Sequence, residues 1–381
     1  MGLPSELSGF RWRSESHATP PCRVVTADDR TKADDAYRMA CEGTGLLWRG
    51  DFQNARQLLN AMRRRADRPP KRAQRRRAKS SGDPPPAQQF HLHRLAQGQR
   101  ARTLGMLLIP VEPGHVIPLR RAPDVRQACV EAYGEADEPY VVSLRELLGV
   151  IGAHEWRVKG VEIPALGGER IHPHYGVFSP VRGEYVDLVA QAPLPVVAAL
   201  AYDIGTGTGV LSAVLAKRGV ERVVATDHDP RALACARENL SRLGLSDRVQ
   251  VVEADLWPPP PDPPASLVVC NPPWIPARPS SPLEHSVYDP DGRMLRAFLD
   301  GLPRHLAPDG EGWLILSDLA EHLGLRTRSD LLARFEAAGL KVAGRLDAKP
   351  RHPRASDTSD RLHAARAAEV TSLWRLIPST S

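Results

Sequence analysis

The second half of the chain alternates short apolar runs with stretches whose apolar positions recur at helical spacing. Five apolar runs predict strands: residues 199–204, 221–226, 248–253, 265–270 and 312–317. Three helical stretches accompany them: residues 209–218, 230–243 and 291–306. Two later runs predict a terminal hairpin: residues 339–347 and 370–377. We therefore predict an α/β fold, a Rossmann-like, doubly wound, mostly parallel seven-stranded sheet with a C-terminal antiparallel hairpin.

The first half is less regular and predicts a smaller α+β module. Residues 1–33 are polar and aperiodic, whereas residues 34–65 carry apolar positions at helical spacing and predict two helices joined near residues 43–45. Residues 154–178 predict a β-hairpin that runs into a helix. The predicted division is a loose tail (1–33), an α+β module (34–153) interrupted by a basic, proline-rich linker (63–88), a hairpin and helix (154–190) and the α/β domain (191–381).

Charge is concentrated in one segment. Residues 63–79 contain ten Lys or Arg and one Asp, although the whole chain of 381 residues has a net charge of only +6. Such a run can neutralise nucleic-acid phosphates. It can equally be a solvated linker, because like charges repel and resist packing. The surrounding prolines and the absence of interleaved aromatic residues favour the linker.

Cysteine and hydropathy patterns narrow the class of protein. The five cysteines are widely spaced without a Cys-x-x-Cys pair, which predicts neither a disulfide framework nor a zinc site. We predict that His91-x-His93 and His172-x-His174 are structural or solvent-facing, and we expect no metal. Neither an apolar run long enough to span a membrane nor a secretory signal is present, so we expect a cytoplasmic protein that uses no membrane.

A glycine-rich loop follows the first strand of the α/β domain. Asp203 precedes Gly205, Thr206, Gly207 and Gly209 where the predicted strand passes into a helix. Glycines let the backbone approach a ligand closely, because no Cβ blocks the approach. The spacing is G-x-G-x-G, which differs from the G-x-G-x-x-G of nicotinamide enzymes. Asp203 supplies a carboxylate that can attract an ammonium group.

Carboxylates end the next two strands. Asp227 lies about 20 residues after the glycine loop, where an acidic side chain can hold two ribose hydroxyls. Asp229 is predicted to cap the helix that begins at Pro230. Asp255, followed by Leu256, ends the third strand, where an acceptor can meet the exocyclic amine of an adenine. The three strand ends together predict a nucleoside cofactor.

The fourth strand is followed by Asn271, Pro272, Pro273 and Trp274. The prolines fix φ and remove N–H donors. The Asn271 side-chain oxygen and the Pro272 carbonyl can then accept two hydrogens from one NH2 group. Trp274 can stack on a planar group and exclude water. This turn predicts a site for a flat nitrogen nucleophile.

These motifs resemble those of class I S-adenosylmethionine-dependent methyltransferases over roughly residues 154–377. The closest similarity is to the protein-glutamine N5-methyltransferases within the small-domain methyltransferase group, whose Asn-Pro-Pro-Tyr-Ile/Val-Pro is echoed by residues 271–276. Residues 178–184 and 289–292 echo two further segments of that family. Trp274 replaces the usual tyrosine, and the first 150 residues differ from the helical docking bundle of the release-factor enzymes.

The resemblance implies a role for each motif. Asp203 and the glycine loop would hold the methionine portion of S-adenosyl-L-methionine, Asp227 the ribose, and Asp255 with the Leu256 backbone the adenine. The residues of the Asn-Pro-Pro-Trp turn would be the catalytic ones: Asn271, Pro272, Pro273 and Trp274. Methyl transfer would then depend on proximity and alignment.

The methyl acceptor is the open question. The favoured expectation is an N-methyltransferase acting on a glutamine side chain of a protein. The alternative is the same chemistry on RNA or DNA, at adenine N6 or guanine N2. A remote alternative is a non-catalytic cofactor-binding protein. In each enzymatic case the partner is a macromolecular acceptor, and the oligomeric state stays open.

Overall fold

A computed structural model describes residues 4–68, 84–260, 263–279, 284, 286–350 and 362–379. The chain forms two compact units, Met1–Glu155 and Trp156–Ser381. Residues 69–79, which hold most of the basic run, lie outside the described residues, so for this part the linker and phosphate-binding interpretations both stay predictions. Each unit has its own sheet.

The N-terminal unit is built on a five-stranded mixed sheet in the order β1-β5-β4-β3-β2. Strands β2, β3 and β4 are parallel, β5 pairs antiparallel with β4, and β1 lies parallel to β5. The strands are β1 (Arg11–Trp12), β2 (Arg23–Ala27), β3 (Thr44–Trp48), β4 (Leu107–Val111) and β5 (Tyr140–Ser143). The helices are α1 (Ala33–Cys41), α2 (Phe52–Ala66), α3 (Pro86–Leu104), α4 (Arg126–Tyr133) and α5 (Leu144–Lys159).

Four expectations for this half of the chain are wrong. The predicted loose tail of residues 1–33 is wrong for residues 4–33, because β1 and β2 pair within the sheet. Residues 43–45 do not join two helices, since β3 begins at Thr44 and is buried throughout. Residues 63–66 complete α2 and residues 86–88 begin α3, so neither belongs to a linker. Residues 154–159 continue α5, which leaves only a short hairpin of two-residue strands, β6 (Val161–Glu162) and β7 (Arg170–Ile171).

The C-terminal unit contains the predicted sheet of seven strands, in the order β10-β9-β8-β11-β12-β14-β13. Neighbours from β10 to β12 are parallel, while β14 runs antiparallel to both β12 and β13. The strands are β8 (Leu200–Ile204), β9 (Arg222–Asp227), β10 (Val249–Glu253), β11 (Ala265–Cys270), β12 (Leu306–Ser317), β13 (Leu340–Ala348) and β14 (Thr371–Pro378). The predicted Rossmann-like sheet with its antiparallel C-terminal hairpin is confirmed.

Helices cover both faces of this sheet. They are α6 (Glu184–Gln191), α7 (Val210–Lys217), α8 (Pro230–Arg242), α9 (Arg293–His305), α10 (Leu319–His322), α11 (Arg328–Ala337) and α12 (His363–Ala368). Alternate residues of each strand point to opposite faces. Ala201 and Val223 therefore pack under α6, α7 and α8, whereas Tyr202 and Val224 pack under α9 and α11. Because both faces of the sheet are buried, the sequence of each of these strands is a continuous apolar run.

The register brings two predicted motifs to neighbouring strands. Ile204 of β8 lies opposite Cys270 of β11. The glycine loop that follows Ile204 and the Asn271 turn that follows Cys270 therefore leave the sheet side by side at its carboxyl edge, where open α/β sheets bind ligands. Among the described helices, none combines the length and apolar character that crossing a membrane requires.

Candidate active site at the carboxyl edge of the sheet

The glycine loop is tied to the end of β9 through its own amides. The N–H groups of Gly205 and Thr206 both donate to the Thr226 carbonyl at 2.9 Å. The Gly207 N–H donates to Asp227 Oδ2 at 3.0 Å. All three amides are therefore bonded within the protein. With these donors used inside the protein, the loop is poorly suited to an anionic pyrophosphate, which binds backbone N–H groups.

The three glycines of the loop serve different purposes, although all have positive φ. A Cβ on Gly205 would lie 2.9 Å from Met294 Cε. A Cβ on Gly209 would lie 3.2 Å from Ala236 Cα, so this glycine allows α7 to approach α8 closely. A Cβ on Gly207 would meet no atom within 4 Å, which leaves open space in front of the loop.

Asp203 lies beneath the loop and is 1% exposed. Its Oδ2 accepts hydrogen bonds from Thr206 Oγ1 at 2.7 Å and from Ser212 Oγ at 2.6 Å and N at 3.0 Å. Burial raises the pKa of the Asp203 carboxyl, and the hydrogen bonds from Ser212 and Thr206 oppose that rise. Asp203 thus braces the loop against the first turn of α7. Sequence reasoning missed Ser212, which has no motif signal of its own.

Asp227 and Asp229, at the end of β9 and just after it, accept hydrogen bonds from different backbone groups. Asp229 caps α8 by accepting from the Arg231 N–H at 2.9 Å, so the predicted cap is confirmed. Asp227 Oδ1 accepts from the Asp229 N–H at 3.0 Å, and its other oxygen accepts from Gly207. The Asp227 side chain is 11% exposed. Its two oxygens are held by backbone groups at the end of β9, beside the open space at Gly207.

Asp255 is far more exposed than Asp227. Its side chain is 69% exposed and pairs with Arg293 at 2.9 Å. Leu256, which follows it, has a φ of 76°, a region that non-glycine residues rarely adopt. The Leu256 carbonyl accepts from Thr226 Oγ1 at 2.6 Å. Backbone strain of this kind concentrates at functional sites.

The Asn-Pro-Pro-Trp turn is partly buried at the end of β11. The Trp274 indole N–H donates to Asn271 Oδ1 at 2.9 Å. Pro272 is buried, and Pro273 is partly buried. Ile275 continues the turn and is 6% exposed, with its N–H donating to the Val287 carbonyl at 3.1 Å. The turn is therefore held from both of its ends.

A returning segment connects this turn to the glycine loop. The Asp289 N–H donates to the Ile275 carbonyl at 2.9 Å, and the Asp289 carboxylate accepts from the N–H groups of Met294 and Leu295. Asp289 thereby anchors the start of α9, which places Met294 against Gly205. Sequence motifs include Asp289 only within the segment 289–292, and the contact of Met294 with the loop has no motif signal.

The second histidine pair serves local structure. His172 Nδ1 lies 2.6 Å from the Arg157 carbonyl, and His174 Nε2 lies 2.7 Å from Glu238 Oε2. Asn239 of α8 joins this region to the site, because its Nδ2 donates to the Thr208 carbonyl at 3.1 Å. Within the part of the chain that the structure describes, no three His, Cys, Asp or Glu side chains are grouped to hold a metal ion.

The part of the chain that contains this site matches a known family model. Residues 169–336 match the model described as the methyltransferase small domain. A release factor glutamine methyltransferase of Cereibacter sphaeroides is 33% identical over 150 residues, or 36% of this chain and 51% of the relative. The chain thus spans about half the length of that relative.

Two further similarities cover more of the compared protein. A tRNA1(Val) (adenine(37)-N6)-methyltransferase of Shewanella loihica is 32% identical over 176 residues, or 44% of this chain and 69% of the relative. A solved methyltransferase of Geobacter sulfurreducens, in complex with S-adenosyl-L-homocysteine, is 15% identical with a TM-score of 0.36. That similarity covers 56% of this chain and 96% of the other.

Proposed function

Because the chain belongs to the methyltransferases built on the methyltransferase small domain, we propose that it methylates a planar nitrogen with S-adenosyl-L-methionine as cofactor. One observation carries this proposal: Ile204 and Cys270 are register partners, so the glycine loop and the Asn271 turn emerge side by side. A loop suited to a nucleoside cofactor next to a turn suited to an NH2 group is the arrangement that nitrogen methylation requires.

The residues at the strand ends fit S-adenosyl-L-methionine. The open space in front of Gly207 admits a ligand at the loop. Asp227 would hold the ribose hydroxyls, since its oxygens lie beside that space at the end of β9. Asp255 and the Leu256 backbone would hold the adenine, and Asp203 with Thr206 would shape the loop around the methionine portion. When bound, the cofactor supplies an electrophilic methyl group.

The Asn271 turn would prepare the nucleophile. Asn271 Oδ1 and the Pro272 carbonyl would accept the two hydrogens of one NH2 group. The nitrogen lone pair would then point out of the plane of the target group. The Trp274 ring would exclude water from one side of the group. An amide nitrogen is a weak nucleophile, so alignment in a water-excluded site supplies the rate enhancement.

We propose that the acceptor is a glutamine side chain of a protein, such as a release factor. Support comes from the similarity to a release factor glutamine methyltransferase. It also comes from the Asn-Pro-Pro-Trp-Ile-Pro sequence of residues 271–276, because a side-chain amide presents the two hydrogens that the turn can accept.

Labelled cofactor decides among the acceptors. The purified chain is incubated with tritiated S-adenosyl-L-methionine and either a release factor or total RNA, with Asn271→Ala as the matched impaired control. Label in the protein that peptide mass spectrometry assigns to a glutamine nitrogen supports the proposal. No transfer to either acceptor, or an undiminished rate of transfer in Asn271→Ala, contradicts it.

A second acceptor is an adenine N6 amine in RNA. Its support is specific, since the chain covers 69% of the tRNA adenine methyltransferase but only 51% of the release factor enzyme. Label in RNA that is lost on ribonuclease digestion would favour this acceptor. Deleting residues 63–79 would then reveal whether the basic run contributes, because phosphate contacts make binding depend on salt concentration.

A further inference from the structure

The Asn271 side-chain oxygen accepts a hydrogen bond from another side chain, the indole of Trp274. An asparagine oxygen commonly accepts from the N–H two residues later, in an Asx-turn. Here the two following residues are Pro272 and Pro273, neither of which has an N–H. The next residue donates through its side chain instead. Its indole nitrogen, Trp274 Nε1, lies 2.9 Å from Asn271 Oδ1.

We propose that Trp274 is a positioning residue whose indole N–H fixes the orientation of the Asn271 amide. The inference rests on the proposed nitrogen methylation. An indole nitrogen only donates, whereas an asparagine amide presents an oxygen on one side and an NH2 on the other. The indole N–H therefore selects the orientation with Oδ1 towards it. The reversed amide would bring two donors together and would offer the target nitrogen no acceptor.

The number of acceptor sites matches a target NH2 group. The Asn271 carbonyl oxygen has two lone pairs, and the indole N–H occupies one of them. One acceptor site remains for a hydrogen of the target, while the Pro272 carbonyl serves the other hydrogen. An orientation that is fixed before the target arrives favours alignment in the reacting state.

The indole is itself fixed by the surrounding core. The Trp274 ring packs against the hydrophobic clusters on both faces of the seven-stranded sheet. Ile275, the next residue, is buried and bonded through its N–H to Val287. Because this packing fixes the indole, its N–H keeps its position and can orient the Asn271 amide.

Removal of the N–H with retention of an aromatic ring tests the role. In Trp274→Phe we expect the cofactor Kd and the acceptor KM to change less than about threefold and kcat to fall about 10- to 100-fold, the scale of a misaligned reacting group. Trp156→Phe, at a tryptophan that is 45% exposed, is the matched control and should keep its kcat. An unchanged kcat in Trp274→Phe overturns the proposal.

A double-mutant cycle separates positioning through Asn271 from loss of packing. If Trp274 acts through Asn271, Trp274→Phe should lower the residual kcat of Asn271→Ala by less than about twofold. An equal fall in both backgrounds overturns the proposal. Should Trp274→Phe not fold, replacement of Trp274 by benzothienylalanine keeps the bicyclic ring and exchanges the N–H for sulfur.

A readout without catalysis distinguishes this inference from the proposed function. The indole N–H resonance of Trp274, assigned by its loss in Trp274→Phe, should shift and exchange faster with solvent in Asn271→Ala than in the unsubstituted protein. An indistinguishable resonance overturns the inference even if methyl transfer occurs. Conversely, if the resonance behaves as expected but neither acceptor is methylated, the proposed function is refuted and the inference about Trp274 stands.

Discussion

The Asp227 carboxylate accepts a hydrogen bond from the Gly207 amide at 3.0 Å, although the two residues are 20 positions apart. The bond joins the end of β9 to the loop that follows β8. It leaves Asp227 beside the space in front of Gly207, where a ribose would lie. Because the carboxylate braces the loop that would receive the cofactor, its removal should weaken cofactor binding.

Asp227→Ala should weaken binding of S-adenosyl-L-methionine by about 10- to 100-fold, the effect of losing one or two hydrogen bonds to a charged group. Isothermal titration calorimetry measures the change. Asp229→Asn is the matched control, because asparagine also caps helices well and should leave the affinity within about twofold. Unchanged affinity in Asp227→Ala would remove this residue from the ribose site.

Gly209→Ala should destabilise the protein more than Gly207→Ala. Both positions have positive φ, which costs a non-glycine residue about 1–2 kcal/mol. The added methyl group at residue 209 also meets Ala236 Cα at 3.2 Å, whereas at residue 207 it meets no atom. Overpacking adds about 1–3 kcal/mol. Thermal denaturation should therefore give the lower Tm for Gly209→Ala, and equal Tm values would contradict the close approach of α7 and α8.

Stability should fall in acid partly through Glu238. Although burial raises the pKa of Glu238, hydrogen bonds from Arg242 and His174 and the charge of Arg157 outweigh it and lower the pKa from 4.5 to about 2. A carboxyl group whose pKa is lowered by folding stabilises the protein above its unfolded pKa and loses that contribution as the pH falls. The Glu238 contribution should thus disappear between about pH 4.5 and pH 2.

Glu238→Gln measures this contribution. At pH 7 we expect a lower Tm, with a loss of about 1–3 kcal/mol for the charge-assisted hydrogen bonds. Near pH 2 the difference from the unsubstituted protein should shrink. Glu336→Gln, at an exposed position of α11, is the control and should have little effect at either pH. A difference that stays constant from pH 7 to pH 2 would argue against a lowered pKa.

The five cysteines should divide into two reactivity classes. Cys22 and Cys41 are exposed, whereas Cys129, Cys235 and Cys270 are buried. Burial raises the pKa of Cys129 to about 11 and of Cys235 to about 12, and raises that of Cys270 well above its usual range. Because the thiolate is the reactive form, burial and raised pKa both suppress alkylation.

Brief treatment with N-ethylmaleimide at pH 7.5 should therefore label two cysteines in the native protein and all five after unfolding. Peptide mass spectrometry identifies the labelled positions. Rapid native labelling of Cys235 would mean that α8 does not stay packed against the segment before α6.

Much of the C-terminal fold could be predicted because its sheet is buried on both faces. Each strand is then a continuous apolar run, and each covering helix has its own period. In the N-terminal unit the same reasoning failed at β3, where Thr44–Trp48 is a five-residue buried strand. Apolar periodicity cannot distinguish so short a buried strand from a piece of helix.

The sequence by itself determined the alternation of strands and helices, the glycines at positive φ, the Asp229 cap and the chemical groups at the strand ends. These features are local, because they depend on residues within a few positions of one another. Only the tertiary structure decided how those groups meet. Thr226 takes the loop amides, Met294 packs on Gly205, and Trp274 holds Asn271 through its ring nitrogen. The Thr226 and Met294 contacts depend on strand register and on the path of the chain after β11. The Trp274 contact depends on the rotamers that the folded core imposes. Hydrophobic periodicity contains no information about any of these.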